Sequence, residues 1–147
     1  MRMAWIYRRR ERLFLRPWSK TDEGMWREDG PCSVLPASAS AEEVGATVES
    51  VLALSRQGVS HPSRSGWSEV TRPLLEAAGV KSWRAFAKLA NSVGIERDES
   101  GLRLLPMGRD PDDGSNFPVK ERERQVPASA SIPEIGRSVL EALDAAD

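Results

Sequence analysis

The sequence predicts an α+β fold: a mostly antiparallel β-sheet covered by two long helices, built as an internal duplication. Three observations carry this. The stretch Pro36-Ala37-Ser38-Ala39-Ser40-Ala41-Glu42-Glu43-Val44-Gly45 returns as Pro127-Ala128-Ser129-Ala130-Ser131-Ile132-Pro133-Glu134-Ile135-Gly136. Each copy runs on into an apolar stripe of helical period, Val44, Val48, Val51 and Leu52 in the first and Ile135, Val139, Ala142 and Leu143 in the second. Upstream of each copy the apolar residues alternate with period two, the signature of strands.

Met3 to Trp18 alternates Ala4 and Ile6 against Trp5 and Tyr7, then Leu13 and Leu15 against Phe14. Two strands are expected around the Arg8–Arg12 run, with Pro17 ending the second. Residues 19–31 are polar and contain glycine, which predicts a loop with Trp26 pinned to the core. Cys32 to Leu35 reads as a short strand. Ser40 and Glu43, three apart, form a capping-box signature, and the carboxylate falls at the positive end of the helix dipole. The helix is expected to run to about Gln57, with Arg56 in its last turn and Gly58 as its stop. Gly45 sits beside the apolar stripe. A glycine there costs about 1 kcal/mol against alanine, so a close approach of the helix backbone, most simply to the sheet, is expected.

Val59 to Gly66 reads as a connector. Two short helices follow, one over Leu74–Ala78 stopped by Gly79, with Pro73 in its first turn, and one after Ser82 carrying Trp83, Phe86, Ala87 and Ala90. Val93 and Ile95 open a strand, Asp98-Glu99-Ser100-Gly101 is a hairpin turn, and Leu102 to Met107 returns. Asp110-Pro111-Asp112-Asp113-Gly114 is a loop, and Phe117–Val119 and Arg124–Val126 are short extended pieces. Ser131 and Glu134 then repeat the capping signature. The duplication extends upstream: Ala4 and Ile6 answer Val93 and Ile95, and Leu13, Leu15 and Pro17 answer Leu102, Leu104 and Pro106. The expected architecture is β-β-β-α twice, halves 1–58 and 90–147 of one domain spanning 1–147, with a small helical insert at 66–89.

Charge is balanced, 21 basic against 22 acidic residues, but seven basic side chains crowd the first twenty positions. One cysteine and one histidine cannot make a closed zinc site, and a lone cysteine suits a reducing, cytoplasmic setting. No apolar leader follows the basic start. Neither a metal nor any other cofactor is expected. A Cys32–His61 pair would need contact that the sequence does not supply. Asp110, Asp112, Asp113 and Asn116 resemble a calcium loop only superficially, because the glycine falls at the fifth place and no closing bidentate Glu follows. P-loop, dinucleotide and nucleophile-elbow signatures are absent. The arginines around Tyr7 and Phe14 offer an alternative, a basic-strand nucleic-acid-binding module. Protein recognition has two kinds of material. Five tryptophans are many for 147 residues and serve well as interface anchors. The acidic residues Asp110, Asp112 and Asp113, with Asp22, Glu23, Glu28 and Asp29, suit a basic partner.

Several stretches together resemble a known family: Trp67-Ser68-Glu69-Val70-Thr71-Arg72-Pro73-Leu74-Leu75-Glu76-Ala77-Ala78-Gly79-Val80, then Lys81-Ser82-Trp83-Arg84-Ala85-Phe86-Ala87-Lys88, and the closing Pro127…Glu134-Ile135-Gly136…Leu140-Glu141-Ala142-Leu143. They look like the immunity proteins of bacterial contact-dependent growth inhibition (CDI) systems, the CdiI type. The resemblance implies a protein without a reaction of its own. Such a protein binds the toxic C-terminal domain of a cognate effector, commonly a nuclease and often a tRNase, and covers its active site or blocks its substrate. No list of partner contacts transfers with the resemblance. The expected toxin-binding residues, drawn from the acidic and aromatic pattern, are Asp110, Asp112, Asp113, Asp22, Glu23 and Trp26.

Overall fold

Alternation along the first two strands turns Ala4, Ile6, Leu13 and Leu15 to one side and Tyr7 and Phe14 to the other, and the whole fold follows from covering those two sides. The computed structural model describes residues 1–147. The chain runs β1 (Arg2–Arg9), β2 (Arg12–Thr21), β3 (Trp26–Glu28), β4 (Ser33–Pro36), α1 (Ala41–Ala53), β5 (Gln57–Val59), α2 (Trp67–Ala78), α3 (Trp83–Ala87), β6 (Ala90–Asp98), β7 (Gly101–Arg109), β8 (Asn116–Pro118), β9 (Arg124–Pro127) and α4 (Ile132–Ala145), with 3-10 turns before α2 and β9. The strands form one path β3-β2-β1-β6-β7-β8. β4 and β5 also pair with β2, and β9 with β7. All pairings are antiparallel except β2 with β5.

β1 and β6 join the two halves. Positions that match in the sequence repeat exchange partners across this seam: Ala4 faces Ile95, Ile6 faces Val93, and Trp5 lies opposite Gly94. Residues 1–58 and 90–147 each hold four strands before a long helix, where three are expected, with β5 following α1. β8 falls on the extended piece expected at Phe117–Val119, whereas β3 lies where a loop is expected and, at three residues, is too short for period two to show.

Pro17 does not end β2, which continues to Thr21. Along that edge β4 pairs with Arg12–Leu15 and β3 with Trp18–Lys20, so the proline falls at the gap between them. Its carbonyl accepts from Asp29 N at 2.9 Å on that same side, where its own N–H would have pointed, so no ladder bond is lost. Pro106 does the same in β7: β9 pairs with Gly101–Leu104, β8 with Met107–Arg109, and the Pro106 carbonyl accepts from Val119 N at 3.0 Å.

The side bearing Ala4, Ile6, Leu13, Leu15, Val93, Ile95, Leu102 and Leu104 is buried under the stripes of α1 and α4. Each of the Val, Leu and Ile side chains among them contributes about 1.5–3 kcal/mol when fully buried. Ser40 caps α1 with a complete box. Ser131 accepts from Glu134 N at 3.3 Å, while its Oγ donates to the Glu134 carboxylate at 2.9 Å. Gly45 and Gly136 do serve a close approach, but of helix to helix rather than helix to sheet. A Cβ on Gly45 would overlap the Ile132 carbonyl, and one on Gly136 the Ala41 carbonyl.

α1 stops at Ala53, four residues before the expected end. The following residues are drawn onto β2 instead. Ser55 Oγ donates to the Trp18 carbonyl at 2.6 Å and accepts from Met3 N at 3.0 Å, and Arg56 pairs with Asp29 at 2.7 Å. Gly58 therefore sits in β5, at φ 75°. α2 begins at Trp67, so Pro73 lies inside the helix rather than in its first turn, and α3 ends before Ala90, which opens β6.

The N-terminal arginines reach the C-terminal carbonyls of three helices. Arg2 donates to Ala53 O of α1 at 2.7 Å, Arg8 to Leu143 O of α4 at 3.3 Å, and Arg12 to Ala77 O of α2 at 3.0 Å. A cation there satisfies orphan carbonyls and the negative end of the dipole. Arg9 is buried over Phe86. Of the basic run only Arg10 is left exposed without a partner in the fold; the engagement of Arg8, Arg9 and Arg12 counts against a nucleic-acid-binding strand.

Candidate functional site

The second side of the sheet is covered only in part. Phe86 of α3 and Leu74 and Ala78 of α2 pack on Tyr7, Phe14 and Ala90. Beside this cluster the sheet is left open as a cleft of about 450 Å³, and all five tryptophans of the chain line it. Trp5 and Tyr7 come from β1, where alternation aims them away from Ala4 and Ile6. Trp18 comes from β2. Trp26, Arg27 and Glu28 come from β3, Trp67, Val70 and Thr71 from α2, Trp83 from α3, and Asn116 from β8. β3 and β8 stand at opposite ends of the strand path, so the sheet curls until both its edges flank one cleft.

The aromatic wall is ordered by stacking. Trp5 lies on Trp18 with ring centres 5.0 Å apart and planes 18° from parallel, and on Tyr7 at 5.9 Å. Trp83 meets Tyr7 edge-on at 5.9 Å and stacks on Phe86 at 5.7 Å. Such pairs contribute about 0.5–1.5 kcal/mol beyond their buried area. Gly94 leaves room opposite: a Cβ there would come within 3.6 Å of the Trp5 ring.

Beneath the rings lies a buried polar group. Arg16 Nη1 donates to Glu28 Oε2 at 3.0 Å and also to the Val70 carbonyl, and Arg16 Nε donates to Gly30 O at 2.9 Å. The Tyr7 hydroxyl donates to Glu28 Oε1 at 3.5 Å. Burial pushes the Glu28 carboxyl above the usual range, against the opposing pull of Arg16. Burial, reinforced by Glu28, raises the Tyr7 phenol well above its ordinary value. Next door, hydrogen bonds from Arg56 and Ser19 hold Asp29 below the usual carboxylate range. Cys32, at the edge of the aromatic cluster, is pushed up to about 11 by burial, so it rests as a thiol and not as the nucleophilic thiolate. His61 lies with Nδ1 3.1 Å from Glu23 Oε2 and its ring edge-on to Trp67. The arrangement is a preformed apolar hollow with a polar floor, suited to holding another molecule's side chains.

Of the expected contact residues, Trp26 lies in the cleft. Asp22 and Glu23 are exposed in the β2–β3 turn. Asp110, Asp112 and Asp113 lie in the β7–β8 turn and line an adjoining cavity of about 610 Å³ together with Arg84, Lys88, Arg109 and Trp83. Trp83 belongs to both hollows, so this acidic turn borders the cleft. Asp110 Oδ1 accepts from Asp112 N at 2.8 Å and Asp113 N at 3.3 Å, and Asp113 Oδ1 accepts from Ser115 N at 2.8 Å. The Ser115 contact holds Asp113 below the usual carboxylate range. These carboxylates therefore shape their own turn while carrying its charge. Sequence reasoning did not single out Trp5, Trp18, Trp67, Trp83, Tyr7 and Asn116 as a group. The signals available were the tryptophan count and the aim of Trp5 and Tyr7 opposite Ala4 and Ile6.

No helix is long and apolar enough to cross a membrane. Among curated proteins none matches the chain. Among solved structures, a Neisseria meningitidis protein of unknown function shares the fold with a TM-score of 0.81 at 22% identity, over 99% of this chain and 95% of that one. A chain of the CdiA-CT/CdiI toxin and immunity complex from Yersinia pseudotuberculosis does so with a TM-score of 0.82 at 17% identity, over 99% and 97%. The sequence itself matches the CdiI family, described as CDI immunity protein, over residues 2–146. A CDI immunity protein is an inhibitor, not an enzyme. The chain belongs to the CdiI family of CDI immunity proteins.

Proposed function

We propose that this protein neutralises the toxic C-terminal domain of a CDI effector, a nuclease, by seating part of it against the tryptophan-lined cleft and occluding its active site or its substrate's approach. The observation that carries the reading is the convergence of five tryptophans, brought from four strands and helices and the β3 edge, on one open hollow. Exposed aromatic groups in a concave, desolvated setting are the usual anchors of tight complexes. The similarity to a chain of a toxin and immunity complex supports the choice of partner.

Charge complements this. A nuclease presents a basic groove to phosphate; the turn carrying Asp110, Asp112 and Asp113 borders the cleft at Trp83, and Asp22 and Glu23 are exposed in the turn that leads to Trp26. Across an interface of about 1,200–2,000 Å², such charges speed encounter and fix register more than they deepen affinity.

The test has two parts. Cells expressing the toxin domain encoded immediately upstream should grow when this protein is co-expressed, and the purified pair should form a one-to-one complex. Failure of rescue removes the assignment. Reversing Asp110, Asp112 and Asp113 to Lys should slow association and flatten its dependence on salt; an unchanged rate takes the acidic turn out of the interface.

A further inference from the structure

We infer that Arg16 is the positioning residue of the cleft: its buried guanidinium sets the distance between the sheet wall and the helical-insert wall. The inference rests on the reading of the cleft as the toxin-contacting surface. Arg16 is 2% exposed and Glu28 5% exposed. One side chain on β2 holds the Glu28 carboxylate of β3, the Gly30 carbonyl just beyond it, and the Val70 carbonyl in the first turn of α2. Through Glu28 the same group reaches Tyr7 of β1. Three lining residues of the cleft, Tyr7, Glu28 and Val70, are thereby tied to a single planar fork.

Two further observations fit. Pro73 lies inside α2 and has no N–H to give the Glu69 carbonyl four residues before it, so the helical ladder is interrupted next to Val70. Arg16 donates to the adjacent carbonyl, that of Val70. Behind Arg16 lies a separate cavity of about 520 Å³, whose wall it forms with Arg27, Gly30 and Val70, while Arg27 and Val70 also face the cleft. Arg16 thus stands in the partition between two hollows. A buried ion pair seldom stabilises a fold more than an apolar pair of the same volume. Its distinctive effect here is geometric, because a planar fork accepts few arrangements of its acceptors.

The test is the double substitution Arg16→Met with Glu28→Met, which removes both charges and leaves neither unpaired. Far-UV circular dichroism and melting temperature should stay near those of the wild type. Acrylamide quenching of tryptophan fluorescence should rise, because every indole of the chain lines the cleft. Affinity for the toxin domain encoded upstream should fall about tenfold, the cost of ordering a wall that was preorganised. Arg16→Lys keeps one charged nitrogen that can meet Glu28 and Val70, as Nη1 does, but loses the Nε bond to the Gly30 carbonyl and the planar fork; it should fall between wild type and the double variant, and it decides the question where the double variant does not fold. Quenching unchanged in the folded variants overturns the inference. Increased quenching with unchanged toxin affinity leaves Arg16 as the positioning residue and removes the cleft from the proposed interface.

Discussion

The two faces of the sheet are made by the same alternating strands but are closed in different ways. On one, aliphatic side chains from β1, β2, β6 and β7 meet the stripes of α1 and α4, and the two helices press together so closely that only glycine fits at their crossing. On the other, Trp5, Tyr7, Phe14 and Trp18 meet shorter helices that cover part of the face and leave a hollow. Aliphatic residues interdigitate to crystal-like density. The rings of Trp5, Tyr7 and Trp18 stack on one another and line a hollow that the insert helices leave open. The contrast separates stability from recognition: substitutions on the first face should act on folding, and those on the second on partner binding.

The strongest way to break that separation is at the helix crossing. Gly136→Ala places a methyl group into the Ala41 carbonyl, with backbone on both sides and no flexible side chain to give way. A loss of about 3 kcal/mol, the upper end for overpacking, is expected in urea unfolding. Gly45→Ala should behave alike. Gly94→Ala, on the sheet seam, meets the far end of the Met107 side chain at 3.2 Å and, at ordinary contact distance, the Trp5 ring at 3.6 Å and Leu105 Cβ at 3.7 Å, and should cost far less. Equal losses at Gly136 and Gly94 would mean that the helix crossing is not the tight point of the fold.

Next in size comes the cleft. Trp67 is 38% exposed and sits on the rim of the helical insert. Trp67→Ala should leave unfolding free energy within about 0.5 kcal/mol of the wild type and weaken toxin binding by about 2 kcal/mol, the threshold of a hot spot. Calorimetric titration of the pair measures it. A stability loss without a binding loss would place Trp67 on the structural side of the comparison.

The first face was far more legible in the sequence than the second. Period-two alternation, the Ser40 and Ser131 caps and the helical stripes are all local signals, and they located the sheet and both long helices. The cleft is assembled from residues as distant as Trp5 and Trp83, joined by the curl of the sheet, and no spacing encodes that. The same locality limit explains Pro17 and Pro106. A proline inside a strand is harmless only where the neighbouring edge has a gap, and the gap is visible only once β3, β4, β8 and β9 are placed. The N-terminal arginines look like a binding patch in sequence because the carbonyls they reach lie from 50 to 135 positions away.

The helix caps sharpen the comparison at a smaller scale. Ser40→Ala removes a complete capping box, and Ser131→Ala a cap whose Glu134 bonds the serine hydroxyl. Each should lower stability by about 1 kcal/mol while toxin affinity stays unchanged, since both serines lie at the ends of the helices on the closed face. Glu43→Ala should cost more than Glu134→Ala, because only Glu43 also reaches the Ser40 amide, at 3.3 Å.

The smallest expected effect lies where the two regimes touch, at neighbouring carboxylates with opposite shifts. Glu28 is raised by burial under the cleft, and Asp29 is lowered by Arg56 and Ser19. For Glu28 the folded protein holds its proton more tightly than the unfolded chain. Its favourable contribution is therefore full below the unfolded value, about 4.3, and is lost as pH rises through the folded value. For Asp29 the sign reverses: its contribution is present above the unfolded value, about 3.9, and is lost as pH falls through the folded value. On acidification from neutrality, Glu28 should take up its proton first and stabilise the fold slightly, and Asp29 should follow and destabilise it. Carbon-13 carboxyl titration should resolve the two in that order. Glu28→Gln should remove the early gain, and Asp29→Asn the later loss. Reversal of the order would mean that Arg16 outweighs burial at Glu28, and that the floor of the cleft is held as a full ion pair well into acid.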